Sequence, residues 1–151
     1  MGAVEFEFGG KVAVTNRDID VCDRIRHERR WENVRCGVVE GRMTVAEVAG
    51  AFGLAGDSAI YRSIGSTEAN AIATRVLRIG MAHGLEIMSA SRAADLWQQF
   101  LALFDGQEVE FASNVGTFHD AWTPATPATF DRGVLVTGTA KAGCLWVEEE
   151  D

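Results

Sequence analysis

The sequence predicts an α+β fold: one domain over residues 1–151, in which an N-terminal β-hairpin and C-terminal strands share a sheet packed on a central group of helices. Three observations carry this expectation. Val4, Phe6 and Phe8 alternate with Glu5 and Glu7 ahead of Gly9-Gly10, the pattern of a half-buried hairpin. Ile72, Val76, Ile79 and His83 recur at the spacing of one helical face. Cys144 to Val147 is apolar on both strand faces, as in a strand covered on both sides. Hairpin, then helices, then strands is an α+β order.

The elements follow in turn. Val12 and Val14 resume the alternation after Gly9-Gly10 and complete the hairpin 4–14. Asn16 caps a helix from Arg17 whose apolar side is Ile19, Cys22 and Ile25 and whose remainder is charged. Five arginines lie between Arg24 and Arg35; the mixed signs read as an ion-paired, solvated face, with binding of phosphate or a partner carboxylate as the alternative. Val34, Cys36 and Val38 alternate as a short strand, and Glu40-Gly41 turns the chain. Thr44 and Glu47 form a capping box that opens a helix ending at Gly53. A second short helix is expected over Asp57–Ile64.

The strongest helix is expected from Ser66 to Gly84, with Ser66 as N-cap, Glu68 complementing the dipole and Gly84 ending it at C′. Ala69, Ala73 and Gly80 widen its apolar stripe and admit a close neighbour. Ser89 or Ser91 caps a further helix that presents Ala93, Leu96, Trp97, Phe100, Leu101 and Phe104, and Gly106 ends it. Val109 and Phe111 mark a strand. Trp122, Pro124 and Pro127 make 113–131 an ordered loop, and strands follow at Val134–Val136 and Cys144–Val147.

Charge is unevenly spread. The chain of 151 residues carries a net charge of −8; residues 1–78 hold 11 basic and 11 acidic side chains, and residues 79–151 hold 3 and 11. The whole excess therefore lies in the second half, which ends Glu148, Glu149, Glu150, Asp151. No apolar run is long enough for a membrane span and no leader pattern opens the chain. Three cysteines without CxxC spacing fit reduced thiols in a cytoplasm.

Motifs for chemistry are sparse. GxxxxGK[ST], GxSxG and a GxGxxG after a strand do not occur, and neither do HxxxH or CxxC spacings, so no cofactor and no metal is expected. Cys22, Cys36 and Cys144 sit in apolar periodic segments and read as core. His119-Asp120 beside Trp122 is the best polar pair, and with Asp131 it would form a metal or acid/base cluster in a small enzyme, although no recognisable ligand spacing accompanies it.

One segment carries a resemblance. Met43 to Ile64, MTVAEVAGAFGLAGDSAIYRSI, resembles a helix-turn-helix of bacterial regulators: Thr44 and Glu47 open the first helix, Ala49 takes the small crossing position, and Gly53-Leu54 form the turn. The resemblance implies a recognition helix over Asp57–Ile64 that would place Ser58, Tyr61 and Arg62 on duplex DNA. The whole chain, small and acidic, is similar in profile to immunity, antitoxin or phage anti-defence inhibitors, whose acidic surfaces block basic targets. That profile implies a protein partner with a basic surface, met by Asp120, Trp122, Asp131, Glu148, Glu149, Glu150 and Asp151. A DNA-binding regulator and a His119/Asp120 enzyme are the alternatives.

Overall fold

The structure, a computed structural model, describes residues 4–7, 11–14, 16–29, 33–117 and 121–150, with side chains described from residue 21 onward. The Gly9-Gly10 turn, Trp31, His119, Asp120 and Asp151 lie outside the described residues. The α+β class holds: helices pack on an antiparallel sheet of five strands.

Strands β1 (Val4–Glu7) and β2 (Lys11–Val14) pair antiparallel, with Val4 opposite Val14 and Glu7 opposite Lys11. The expected sharing of one sheet by this hairpin and the C-terminal strands does not occur. The hairpin is a separate two-stranded sheet. The place beside the last strand is taken instead by β3 (Val34–Glu40), whose ladder with β7 (Lys141–Glu149) runs from Val34–Val147 to Glu40–Lys141. The five-stranded order is β3-β7-β6-β5-β4, with β6 (Phe130–Gly138), β5 (Val109–Ser113) and β4 (Arg62–Ile64). β6 and β7 extend well past the apolar runs that announced them, because only residues 139–140 are needed to turn between them.

One face of the sheet carries α1 (Asn16–Glu28), α3 (Ser66–Arg78) and α4 (Ala90–Leu101). Val134, Val136, Leu145 and Val147 point from the sheet into a core with Ile25, Ile72, Leu77, Leu96, Trp97 and Phe100. Each large apolar side chain buried there stabilises the fold by about 1.5–3 kcal/mol. Trp97 stacks on Phe100 at 5.6 Å and donates its indole N–H to Asn70 Oδ1 at 2.7 Å, which fixes α4 on α3. The Ser89 hydroxyl accepts from Arg92 N, as its N-cap position predicts.

The other face is covered by the short α2 (Val45–Ala51), the segment 52–61 and the loop 123–128. The Thr44–Glu47 capping box forms in full. The helix expected over Asp57–Ile64 does not form. Asp57 caps a single 3₁₀ turn, Ser58–Ile60, and the chain then enters edge strand β4. Three antiparallel pairs, Arg62–Ser113 to Ile64–Phe111, hold that backbone extended. Gly133 lies opposite Trp146 on this face. A Cβ at Gly133 would stand 2.2 Å from Leu145 O and 2.5 Å from the Trp146 ring, so the indole can lie flat on the strand only over glycine.

α3 is shorter than its apolar stripe. It starts from Gly65 as N-cap, with Ser66 the first helical residue, and ends at Arg78. Ile79 turns extended and bridges Glu86, while Gly80 N donates to Leu85 O at 2.8 Å. Gly84, at φ +66°, serves that small turn rather than the helix end. His83, expected at the foot of the buried stripe, is exposed. Hydrogen bonds of the 79–87 turn replace the helix's last turn.

Candidate functional site

The charged residues of the chain are arranged by the sheet register, and the register separates them into two ends. The first end collects the start of β3, the end of β7, the start of β6, the end of β5 and the start of β4. The second collects the opposite termini. β6 spans nine residues, which sets the two ends roughly 25 Å apart.

At the first end, arginines fold inward onto backbone carbonyls. Arg29, 5% exposed, donates from Nε to Val76 O at 2.8 Å and from Nη2 to Glu149 at 2.8 Å. Arg35 donates to Phe52 O at 2.7 Å and to Glu148 at 2.5 Å. Arg62 donates to Val115 O at 3.1 Å and pairs with Glu68. Arg26 donates to Cys36 O at 2.7 Å. Each guanidinium satisfies a carbonyl at an element's edge and ties two elements together. Of the five arginines between Arg24 and Arg35, Arg26, Arg29 and Arg35 pair with carboxylates as expected and also reach backbone carbonyls, Arg29 from a buried position, and Arg24 is exposed.

The residues expected to meet a partner therefore divide. Asp131 is a correction: it is fully buried. Its Oδ1 accepts from Trp146 Nε1 at 3.0 Å, Asn114 Nδ2 at 3.1 Å and Ala125 N at 3.1 Å, and Oδ2 accepts from the Thr126 hydroxyl. The carboxylate gathers the 114–126 loop onto the sheet, which is why a charge can sit in the core. Glu148 and Glu149 are half-buried on Arg35 and Arg29, and Glu149 also accepts from Met81 N at 2.8 Å. Glu150 is exposed and accepts from the Thr129 hydroxyl at 2.6 Å. Trp122 is half-buried, 5.5 Å from the Phe130 ring, with the Arg132 guanidinium 4.8 Å from its centroid.

The residues the DNA-binding resemblance pointed to do not line up on one helix. Ser58 is exposed on the 3₁₀ turn. Tyr61 is buried and donates its hydroxyl to Ala55 O at 2.5 Å, and burial pushes its phenol well above the ordinary value. Arg62 is the clamp on Val115 and Glu68.

Nucleophile chemistry is muted among the described residues. Cys22, Cys36 and Cys144 are buried free thiols, as expected. Burial pushes the Cys36 and Cys144 thiols upward, away from the reactive thiolate. His27 and His83 are exposed, whereas the three thiols are buried.

Two surface features remain. At the second end Asp105, Glu108 and Glu110 are exposed and make no ion pair among the described residues; Glu40 is exposed at the end of β3, paired in the ladder with Lys141, and Arg42 lies beside Glu108 and Glu110. Gln107 stiffens this corner: its side-chain carbonyl accepts from both Ala140 N and Lys141 N, at 2.8 and 3.0 Å. A shallow depression beside it runs between Glu108, Glu110, Thr137, Thr139, Arg42 and Met43. At the first end, a cavity of about 280 Å³ opens between the C-terminal half of α3 and the 79–84 turn, floored by Val115 and Arg132. Leu85, the one large apolar side chain exposed among the described residues, at 65%, lies on that same turn.

The cavity was not read from the sequence, although one signal was there: Arg132 shares strand parity with Val134 and Val136, a charge on the helix-facing row of β6. Comparison with known proteins supplies no relative to interpret either feature: no family model, no curated protein and no solved structure matches this chain.

Proposed function

We propose that the protein is an inhibitor-type binding module that engages a basic surface on a target protein through the acidic second end of its sheet. One observation carries this reading. Among the described residues ten Asp and Glu side chains are exposed, against three Lys and Arg (Arg24, Arg42 and Arg75). Arg29, Arg35 and Arg62 instead turn onto backbone carbonyls, so the exposed charge among the described residues is predominantly acidic. Such a surface steers a basic partner by long-range attraction and repels nucleic acid and acidic competitors. Asp105, Glu108 and Glu110 stand on a corner that Gln107 holds in place, so little order is lost on docking. Buried, reduced thiols suit a cytoplasmic setting.

The test is recovery of a partner from native extract by the wild type, followed by association kinetics with two variants. Asp105→Lys/Glu108→Lys/Glu110→Lys is expected to slow association by about tenfold or more and to flatten its salt dependence, while Glu150→Lys changes it little. Equal association by both variants would move the interface elsewhere. Salt-steep binding of duplex DNA, lost on Arg62→Ala, would replace this reading with the regulator. Turnover of a small molecule that requires His119 would replace it with the enzyme.

A further inference from the structure

Two of the three buried thiols face one another. Cys22, on the apolar side of α1, and Cys36, on β3, hold their Sγ atoms 3.2 Å apart, and the residues are 3% and 1% exposed. We propose that they form a reversible redox site: a low-molecular-weight disulfide converts the pair to a Cys22–Cys36 disulfide that staples α1 to the sheet.

The pair is positioned from both of its elements. Cys22 and Arg26 lie four residues apart, on one side of α1. The Cys22 sulfur meets the Cys36 sulfur, while the Arg26 guanidinium donates to Cys36 O at 2.7 Å. One residue of β3 is thus gripped at side chain and backbone by successive turns of the same helix. Asp23, 2.9 Å from the guanidinium, steadies that grip. From its other side Cys36 is held in the β3–β7 ladder opposite Leu145. Forming the bond asks only that a contact of 3.2 Å tighten to about 2 Å.

The fold selects this pair over the third thiol. Cys144 lies opposite Gly37 in the ladder, and its side chain sits in the other core, with Val39, Phe52 and Trp146. Cys22 and Cys36 belong to the core beneath the three long helices. The sheet stands between the pair and Cys144.

The exchange runs in two steps. One cysteine, as thiolate, attacks a sulfur of the external disulfide, whose S–S bond breaks to give a mixed disulfide and one small thiolate. The second cysteine, as thiolate, attacks the protein-side sulfur and expels the other small thiolate. The two protons given up by the cysteines end on the two small thiols, so the protein loses two hydrogens and two electrons and the external disulfide gains them. Burial governs the rate rather than the direction. Sulfurs packed under α1 react when that helix opens, so the site answers sustained rather than brief oxidation. The bond then closes a loop of 14 positions and opposes the same opening. The site shares no residue with the acidic corner, and its state is read without any binding partner.

The experiment equilibrates the full chain in glutathione buffers of graded ratio, both in native buffer and in urea that unfolds it, with equilibrium reached from reduced and from oxidised protein. Samples are quenched with acid and alkylated with N-ethylmaleimide in denaturant. Mass spectrometry then reads the fraction that has lost two hydrogens and the peptides that are linked. The expected result is a Cys22–Cys36 link with Cys144 alkylated, reversed by dithiothreitol, and an oxidation constant about tenfold or more larger in the native protein than in the unfolded one. Cys22→Ala should abolish the internal link without a Cys36–Cys144 bond taking its place. If that variant unfolds, the linkage map and the native-to-unfolded ratio of the wild type carry the test. The proposal is overturned if all three cysteines remain free for alkylation in the most oxidising buffer, if Cys144 takes part in the link, if glutathione adducts replace the internal bond, or if the native constant is no larger than the unfolded one.

Discussion

At one end of the sheet Asp131, Glu148 and Glu149 turn inward onto an indole, an amide, backbone N–H groups and two guanidiniums; at the other, Asp105, Glu108 and Glu110 stand in water. All six come from the same acidic half of the chain. Of the first set, Glu148 and Glu149 are bound by Arg35 and Arg29 from the charge-balanced first half, and Asp131 by Trp146, Asn114 and Ala125. The second set makes no ion pair among the described residues. Charge that looks like one block in sequence therefore serves two purposes, cohesion at one end and display at the other.

Substitutions sharpen that contrast, beginning with the deepest. Asp131→Ala leaves Trp146 Nε1 and Ala125 N without their acceptor. It is expected to cost about 3–5 kcal/mol, read as a fall in the urea midpoint. If Asp131→Ala melts like the wild type, the carboxylate does not anchor the loop. Arg29→Met strands Glu149 and Val76 O, with an expected loss of about 2–4 kcal/mol. The double variant Arg29→Met/Glu149→Gln should recover part of that loss, and strict additivity would break the assignment of the pair as a clamp. Gly133→Ala, which forces Trp146 off the strand, is expected to cost about 1–3 kcal/mol by overpacking.

By contrast, Glu108→Gln/Glu110→Gln at the display end should change stability by no more than about 0.5 kcal/mol. A larger loss would show that these acids, too, are structural. The smallest effect is a pH dependence. Hydrogen bonding to the Arg92 guanidinium holds the Glu28 carboxyl below its ordinary value of 4.5. The stabilisation is therefore fully present above that ordinary value and is lost as pH falls through the lower, folded one. The difference in melting temperature between wild type and Glu28→Gln should shrink on going from about pH 7 to about pH 3.

Much of this architecture was legible in the residues. The Thr44–Glu47 box, the Ser89 cap and the Trp97–Phe100 face are local devices, and they form where their spacing put them. Elements decided by distant partners were not. Apolar periodicity carried the Ser66 helix on to His83, but backbone hydrogen bonding to Leu85 and a carboxylate from β7 ended it at Arg78. Asp57–Ile64 has helical composition in part, and pairing with β5 drew its second half into a strand. Asp131 looked like a loop carboxylate because nothing in its neighbourhood announces that Trp146 will present an indole N–H to it. The two arginines of the cavity are 57 positions apart in sequence, from Arg75 to Arg132, and only the packing of α3 on β6 makes them neighbours.

The pairing of β3 with β7 also governs how the chain can reach this state. Arg35 and Glu148 are separated by 113 positions, and β7, which follows all the other strands described, is the one that lies between β3 and β6. Loop closure over such a distance must come before the central contacts stabilise anything, so folding is expected to be slow for a chain of this size. A nascent chain lacking β7 would expose one edge of β6 and one of β3, two open ladders beside apolar surface. Synthesis leaves those edges uncovered until β7 emerges, and that interval is when the protein is most exposed to aggregation.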